Sequence, residues 1–434
     1  MKISDLYAAY LGSSGIATDT RQIKANQLFL ALKGPSFNAN DFILEALASG
    51  ASYAVADEPR PEFQNNDRIF IFDDALVAMQ DLARLHRSKL KIPVIGLTGS
   101  NGKTTSKELL HAALSEQYKT YSTSGNLNNH IGVPLSILAI QKDHEIAIIE
   151  MGANHRSEIA FLCSISKPDY GFITNIGLAH LEGFGGEEGV YLGKKELFDY
   201  IRNTDGKIFI NLDDEKVVRA SEGHKGITYG KGKGAHFQGR AEVHSDCLSV
   251  YWWRDNDLEG RKIDTRLTGL YNFSNVMAAV TIARFFGVSD SKINHGISSY
   301  KPNNNRSQIK KTEKNNTVIV DCYNANPSSM SAALENLNEH SGDKKWVILG
   351  DMLEIGDLAR VKHQEVVDQL TGFQFNALLV GPLFKNTKHP TDNVQYFKST
   401  QEVASFLKLN PLTESTILLK GSRKIKLEQL LEFL

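Results

Sequence analysis

Along the chain, short apolar runs rich in Ile, Val and Phe recur between longer stretches whose apolar residues fall at helical spacing. That pattern predicts strands buried on both faces and helices that cover a parallel sheet. From residue 1 to about 85, QLFLAL, ASYAVA and RIFIFD read as strands and FILEALASG as a helix, which makes a small α/β unit. Helical DALVAMQDLARLHRSKL leads into a second unit, 86–300, whose strands HEIAIIEMG, YGFITNI and KIFINLDDE each end in polar residues. Between about 218 and 268, runs such as AHFQGRAEV and CLSVYWWR predict an antiparallel insertion, and helical NFSNVMAAVTIARFFG closes the unit at Gly287. The polar SYKPNNNRSQ reads as a hinge. After it, in 301–434, TVIVDCY, KWVILGDM, NALLVGP and STILLKGS alternate with helices as a further open, Rossmann-like sheet. The expected fold class is therefore α/β, in three domains.

Composition narrows this picture. A chain of 434 residues is too long for one ordinary core. Lys plus Arg number 49 against 50 acidic residues, a net charge of −1, so no overall field draws nucleic acid or an anionic membrane. Any anionic ligand must be held by local groups. The cysteines, Cys163, Cys247 and Cys322, are far apart and lack metal-binding spacing, so they read as plain thiols in a reducing compartment. No apolar run reaches the roughly 18 residues of a membrane helix and the start lacks a signal-peptide pattern. A cytoplasmic monomer with no membrane insertion and no nucleic-acid partner is expected.

The sharpest local signal is VIGLTGSNGKTT, residues 94–105, where an apolar strand end, a glycine loop and a helix SKELLHAALSEQ follow one another. Gly99, Ser100, Asn101 and Gly102 can curl the backbone so that N–H groups face an anion, with the helix dipole behind them. Lys103 would reach the outer phosphates, and Thr104, followed by Thr105, would hold magnesium. Leu97 stands where the strict phosphate-loop pattern has glycine, whereas the Gly-Lys-Thr end is intact. Ligands of open α/β sheets lie beyond the carboxyl ends of strands, which singles out Glu150 after IAIIE and His180 after GFITNI. Taken alone, Glu150 reads equally as a loop cap, His180 as a satisfied polar residue, and Lys194 as a solvated helix lysine beside Lys195. The asparagines of GNLNNHIGVPLS suit turns and caps.

Together these segments resemble the Mur ligases, ATP-dependent enzymes that form amide bonds in peptidoglycan assembly. The resemblance runs the length of the chain: TDTRQIKANQLFLALKG (18–34), LTGSNGKTT, GNLNNHIGVPLS, EMGANHRSEI, TNIGLAHLEGFG and GKKELF stand in the family's order, followed by DCYNANPSSM, LGDMLEIG and LLKGSRKIKLE. It implies a substrate domain at 1–85, a central ATP-binding domain at 86–300 and a ligase domain at 301–434. It also implies ATP and Mg2+ as cofactors, with Thr104, Glu150 and His180 on the metal and Lys194, fourteen residues after His180, carbamylated. Lys103, Lys194 and His180 are then the catalytic set. Asn272 and Asn275 would flank adenine, Arg306 would reach the nucleotide across the hinge, and Asp321 would hold the ribose. Thr20 and Arg21 would meet the uridine end of the substrate; Asn126, Asn128, Asn129, Asn324, Asn326, Ser422 and Arg423 would meet its peptide and the acceptor. DCYNANP, where sister ligases and folylpolyglutamate synthases carry an Asp-x-Ala-His element, points to UDP-N-acetylmuramoyl-tripeptide as donor and D-alanyl-D-alanine as acceptor. Two departures are Tyr271, where histidine is frequent, and FNANDF, where a glycine-histidine pair is common. The rival readings are a phosphate-loop switch without ligase chemistry, which leaves the last third unexplained, and a sister ligase that adds a single amino acid.

Overall fold

The computed structural model describes residues 2–434 except 245, 256, 258, 304 and 389–391. Asn304 of the expected hinge therefore lies outside the described residues. Three sheets and one small hairpin carry the chain.

The first unit holds β1 (Ile16–Ala17), β2 (Leu28–Leu30), the hairpin strands β3 (Lys33–Gly34) and β4 (Phe37–Asn38), β5 (Tyr53–Ala56) and β6 (Ile69–Ile71). Its sheet runs β1-β2-β5-β6, all parallel. The helix Ala75–Lys89, capped by Asp74 through the N–H of Val77, passes through residue 85. It packs on helices of both the first and the second unit, so no flexible linker separates the two.

The second unit contains β7 (Val94–Thr98), β8 (Thr120–Ser122), β9 (Ile146–Glu150), β10 (Tyr170–Ile173), β11 (Lys207–Asn211), β12 (Gly226–Gly230), β13 (Phe237–His244), β14 (Cys247–Arg254) and β15 (Arg261–Asp264). They form one sheet of nine strands in the order β15-β14-β13-β12-β11-β10-β7-β9-β8. The runs expected to make a separate antiparallel insertion are continuous with it: β13, β14 and β15 pair antiparallel with each other, while β13 joins β12 in parallel. Every residue of β7 and of β9 is buried, as strands covered by helices on both faces must be.

The third unit is a sheet of six strands in the order β16-β17-β21-β18-β19-β20, built from β16 (Gln308–Lys311), β17 (Thr317–Val320), β18 (Lys345–Gly350), β19 (Asn376–Val380), β20 (Val394–Phe397) and β21 (Thr416–Lys420). Only β16 is antiparallel. The carboxyl ends of β17 and β21 face those of β7, β9 and β10 across a cleft where the functional residues gather. No helix among the described residues is long and apolar enough to cross a membrane, and all three cysteines are free.

Candidate active site

The cleft between the second and third units holds a cavity of about 550 Å³. Its floor is the loop after β7. Gly102 has φ 75° and forms the left-handed start of the helix Lys103–Ser115. A methyl group there would lie 2.6 Å from Asn275 Oδ1, and one at Gly99 would lie 1.9 Å from Thr174 Oγ1. Glycine is thus required at both positions by close approach and by backbone angle, φ being 150° at Gly99 and 75° at Gly102. The segment after β10 fixes the loop: Thr174 Oγ1 and Asn175 Nδ2 donate to Asn101 O at 2.6 and 2.9 Å, and Asn101 N donates to Asn175 Oδ1 at 3.0 Å. Lys103 Nζ folds back onto the carbonyls of Gly99 and Ser100, at 2.7 and 3.2 Å. Desolvation brings its pKa down to about 8, against an upward pull from Glu150.

Beside the loop, Thr104 Oγ1 donates to Glu150 Oε2 at 3.1 Å and Asn128 Nδ2 donates to Oε1 at 2.8 Å. Glu150 is 1% exposed, and Lys107, fully buried, brings its Nζ within 4.0 Å. Lys107 also donates to the carbonyl of Thr123 and meets Glu108 at 3.1 Å. His180 reaches the cavity wall with φ 53°, but its Nδ1 lies 2.5 Å from Glu354 Oε2 of the third unit, not against Glu150. That contact holds the Glu354 carboxyl below the usual range. Among the described residues no group of three or more His, Cys, Asp or Glu side chains is arranged to hold a metal ion. The pair Thr104–Glu150 nevertheless fits magnesium, which takes one or two protein oxygens and completes its shell with phosphate and water.

Lys194 does not line the cavity. It is 1% exposed, donates to Ala153 O at 3.3 Å, and stands 5.0 Å from the centroid of the Phe184 ring. Burial, reinforced by the charge of Lys103 and opposed by Glu158 and Glu196, drives its pKa well down, which favours the neutral amine. Lys195, the neighbour, instead pairs with Asp199.

At the other end, Asn275 Nδ2 donates to Asn272 Oδ1 at 2.8 Å, and Ser106 Oγ to Asn275 Oδ1 at 2.9 Å. Tyr271 is committed through its hydroxyl to Ser307 at 2.8 Å. Asp321 accepts from Ser307 N at 3.2 Å and pairs with Lys420. The Arg306 guanidinium lies 3.7 Å from the centroid of Tyr323, with Arg423 also near that ring at 5.1 Å.

Of the residues singled out in the sequence, Ser100 to Thr105, Asn126, Asn128, Asn129 and Glu150 line this one cavity. So do His180, Asn272, Asn275, Arg306, Asp321, Asn324 and Asn326. Asn129 spends its oxygen capping Ile131 N and Gly132 N. Ser422 is buried and accepts from Leu353 N at 2.9 Å, while Asp351 caps the helix Pro382–Lys385 through Leu383 N and Phe384 N. Thr20 and Arg21 lie on a short turn of the first unit, where exposed Arg21 pairs with Asp19 at 2.6 Å. Lys107, Asn175, Tyr323, Glu354 and Lys420 were not singled out, although Asn175, Tyr323, Glu354 and Lys420 stand inside quoted motifs at strand ends.

Comparison with known proteins agrees with this geometry. Residues 97–283 match the Mur ligase middle domain and residues 305–423 the Mur ligase, glutamate ligase domain. The UDP-N-acetylmuramoyl-tripeptide–D-alanyl-D-alanine ligase of Bacillus subtilis is 33% identical over 428 residues, covering 96% of this chain and 92% of that one. The crystal structure of MurF from Acinetobacter baumannii superposes with a TM-score of 0.88 at 29% identity, covering 99% of this chain and 98% of that one. The MurF ligase from Thermotoga maritima, in complex with ADP, gives a TM-score of 0.85 at 26% identity, covering 98% and 97%.

Proposed function

The chain belongs to the Mur ligase family, and on that premise we propose that it joins D-alanyl-D-alanine to UDP-N-acetylmuramoyl-tripeptide, consuming ATP and releasing ADP and phosphate. The observation that carries this reading is the single cavity in which a phosphate cradle and Glu150 face the DCYNANP segment of another unit. A nucleotide switch has no use for that second wall.

Amide formation from a carboxylate is uphill in water, so the peptide carboxylate first takes the γ-phosphoryl group of ATP to become an acyl phosphate. Lys103, drawn off the carbonyls of Gly99 and Ser100, offsets the charge that gathers on the transferred oxygens. Thr104 and Glu150 would hold magnesium, which when bound supplies further neutralisation of the phosphates. The amine of the dipeptide then attacks the acyl carbon: a C–N bond forms, the C–O bond to phosphate breaks, and the amine proton passes to solvent or phosphate. Water competes for the same acyl phosphate, so Arg306 and Asp321, carried by the third unit, serve both to contact the nucleotide and to close the cleft.

Lys194 is read as the carbamylated residue. A neutral amine is the form that adds carbon dioxide, and the product would carry a negative charge that Lys103 favours and Glu158 and Glu196 oppose; magnesium, if held nearby, would add to the favourable side. His180, now paired with Glu354, is read as a metal ligand or as a group that senses closure. Asn272 and Asn275 would flank adenine, Thr20 and Arg21 the uridine end, and Asn126, Asn128, Asn324, Asn326, Ser422 and Arg423 the peptide and acceptor. The division at residues 85 and 300 assigns uridine, ATP and acceptor to successive units. The test offers the purified chain ATP and the tripeptide donor with D-alanyl-D-alanine, D-alanine, L-lysine, diaminopimelate or L-glutamate. Phosphate release only with the dipeptide is expected; turnover with a free amino acid alone makes it a sister ligase, and release of AMP excludes the acyl-phosphate route.

A further inference from the structure

A second buried polar cluster joins the second and third units away from the cavity. Asp246 lies in the turn between β13 and β14 and Thr268 just beyond β15, whereas Asn336 and His340 stand at the carboxyl end of the helix Pro327–Glu339. The His340 side chain is fully buried. Its Nε2 is 2.7 Å from Thr268 Oγ1 and its Nδ1 is 3.0 Å from Asp246 Oδ1. Asn336 Nδ2 donates to Thr268 Oγ1 at 3.1 Å, and Ser341 donates its N–H and hydroxyl to the same Asp246 oxygen at 3.3 and 3.1 Å.

A proton count fixes the state of the cluster. With His340 neutral and protonated at Nδ1, the ring donates to Asp246, Thr268 donates to Nε2, and Thr268 Oγ1 is free to accept from Asn336. The ring and Thr268 are then satisfied, and Asn336 Oδ1 is left 3.3 Å from a hydroxyl whose hydrogen points elsewhere. A proton on Nε2 alone would leave Nδ1 bare against the Asp246 carboxylate, and a proton on both nitrogens would turn the Thr268 hydrogen toward Asn336 Oδ1, 3.3 Å away. The cluster also reaches the nucleotide end: Thr268 O accepts from Asn272 Nδ2 at 2.7 Å, Asn272 accepts from Asn275, and Asn275 from Ser106 on the phosphate-loop helix.

We propose that His340 is a positioning residue for nucleotide binding: clamped between Asp246 and Thr268, it docks the third unit on the second and holds Asn272 and Asn275 in register. This rests on the reading of that cleft as an ATP site. The charged groups around the ring are Asp246, which draws its pKa up, and Lys345 and Lys311, which push it down; burial outweighs them and the net direction is down. A base whose docked pKa is depressed loses docking energy as the pH falls through its ordinary range, because the undocked ring takes the proton first. Docking is complete above that range and weakens below it.

The experiment measures kcat, KM for ATP and the radius of gyration of the full chain for wild type, His340→Ala and His340→Gln, at about pH 8 and about pH 6, either side of the ordinary histidine value. His340→Ala leaves Thr268 and Asp246 without their buried partner, and KM for ATP rises about tenfold while kcat stays within about twofold. His340→Gln still accepts from Thr268 but does not titrate; because Lys103 titrates in the same window in every variant, the readout is the ratio of the two KM values for ATP, wild type over His340→Gln, which rises at the lower pH. An Ala variant that melts earlier with unchanged KM makes the cluster merely structural and overturns the proposal, as does a Gln variant that follows the wild-type pH dependence. If the Ala variant does not fold, the Gln comparison alone decides. A wild type that fails to turn over ATP, yet expands on His340→Ala, would sink the ligase reading and leave the joint standing.

Discussion

Asn326 performs two tasks that substitution can separate. Its Oδ1 caps the helix Pro327–Glu339 by accepting from Ser329 N at 2.9 Å, within a reciprocal capping box, and its Nδ2 crosses the cleft to Asn101 Oδ1 at 2.7 Å. Asn101 returns a bond to Ser328 Oγ at 3.0 Å. Serine caps a helix about as well as asparagine but is too short to reach Asn101, whereas alanine does neither. Loss of the cap costs about 1 kcal/mol, and loss of the bond between units about 0.5–1.5 kcal/mol, or roughly two- to tenfold in nucleotide affinity. Asn326→Ser should keep the helix cap while KM for ATP rises up to tenfold; Asn326→Ala should show the same KM and melt below the serine variant by about 1 °C if the chain unfolds as one unit and by about 3 °C if the third unit unfolds by itself. Asn101→Ala loses both the Asn326 and the Ser328 bonds and should carry at least the same kinetic penalty, and adding Asn326→Ser to it should cost little more, since the bond between the two asparagines is already gone. Thermal melting and ATP saturation curves on the four proteins test this. A serine variant with wild-type KM, or full additivity of the pair, would refute the claim that this contact supports nucleotide binding.

Lys194→Ala should be nearly inactive and partly restored by added short-chain carboxylates; a fully active variant would remove the carbamate from the site. Gly102→Ala must hold a side chain at φ 75° with its methyl 2.6 Å from Asn275 Oδ1. Strain of about 1–2 kcal/mol plus the disturbed Asn275 bonds should raise the dissociation constant for ATP more than tenfold, read by calorimetry, and unchanged affinity would show that the loop does not grip phosphate in this conformation. In the first unit, Glu58 is held at about 2 by Arg60, Asn38 and Lys33. Because that carboxyl is depressed in the folded chain, its contribution is complete above the ordinary glutamate value and fades as the pH falls toward 2. Melting curves of wild type and Glu58→Gln should converge on that acid side, and a constant gap down to pH 2 would show that the Arg60 and Lys33 contacts do not act through its charge.

The strands that were legible are the ones buried on both faces, such as β7, β9 and β19, where the apolar run alone specifies the element. β16, with the sequence QIKK at the end of the expected hinge, gave no strand signal because an edge strand takes its identity from its partner, here β17, rather than from its own pattern. The first helix, Ile3–Leu11, gave too few turns to establish a period. The phosphate cradle was readable because backbone geometry demands glycine at fixed spacing. Contacts such as Asn101–Ser328, 227 residues apart, or Thr268–His340, 72 apart, leave no mark on any local pattern. They exist only once two units are docked.

Lys194 is a different case, since the information was present in the helix itself. Val190, Tyr191, Lys194, Leu197, Phe198 and Ile201 are all buried, at spacings of one, three and four along the helix Glu187–Arg202. That is one continuous stripe of a helix face, and Lys194 sits in its middle. Lys195, a step of about 100° round the axis, falls on the solvent side, where it pairs with Asp199 one turn on. Spacing read as a stripe therefore puts the ordinary solvated lysine at 195 and an anomalous one at 194, although the two look alike in the pair KK. Burying an amine among aliphatic and aromatic groups costs several kcal/mol if it stays charged, and one carbonyl, one ring face and the charges of Glu158 and Glu196 offset that only in part, since the net direction of its pKa is down. An ionisable residue that breaks the apolar rule on its own helix, beside a phosphate loop, is better explained by chemistry done with the neutral amine than by the stability of the fold.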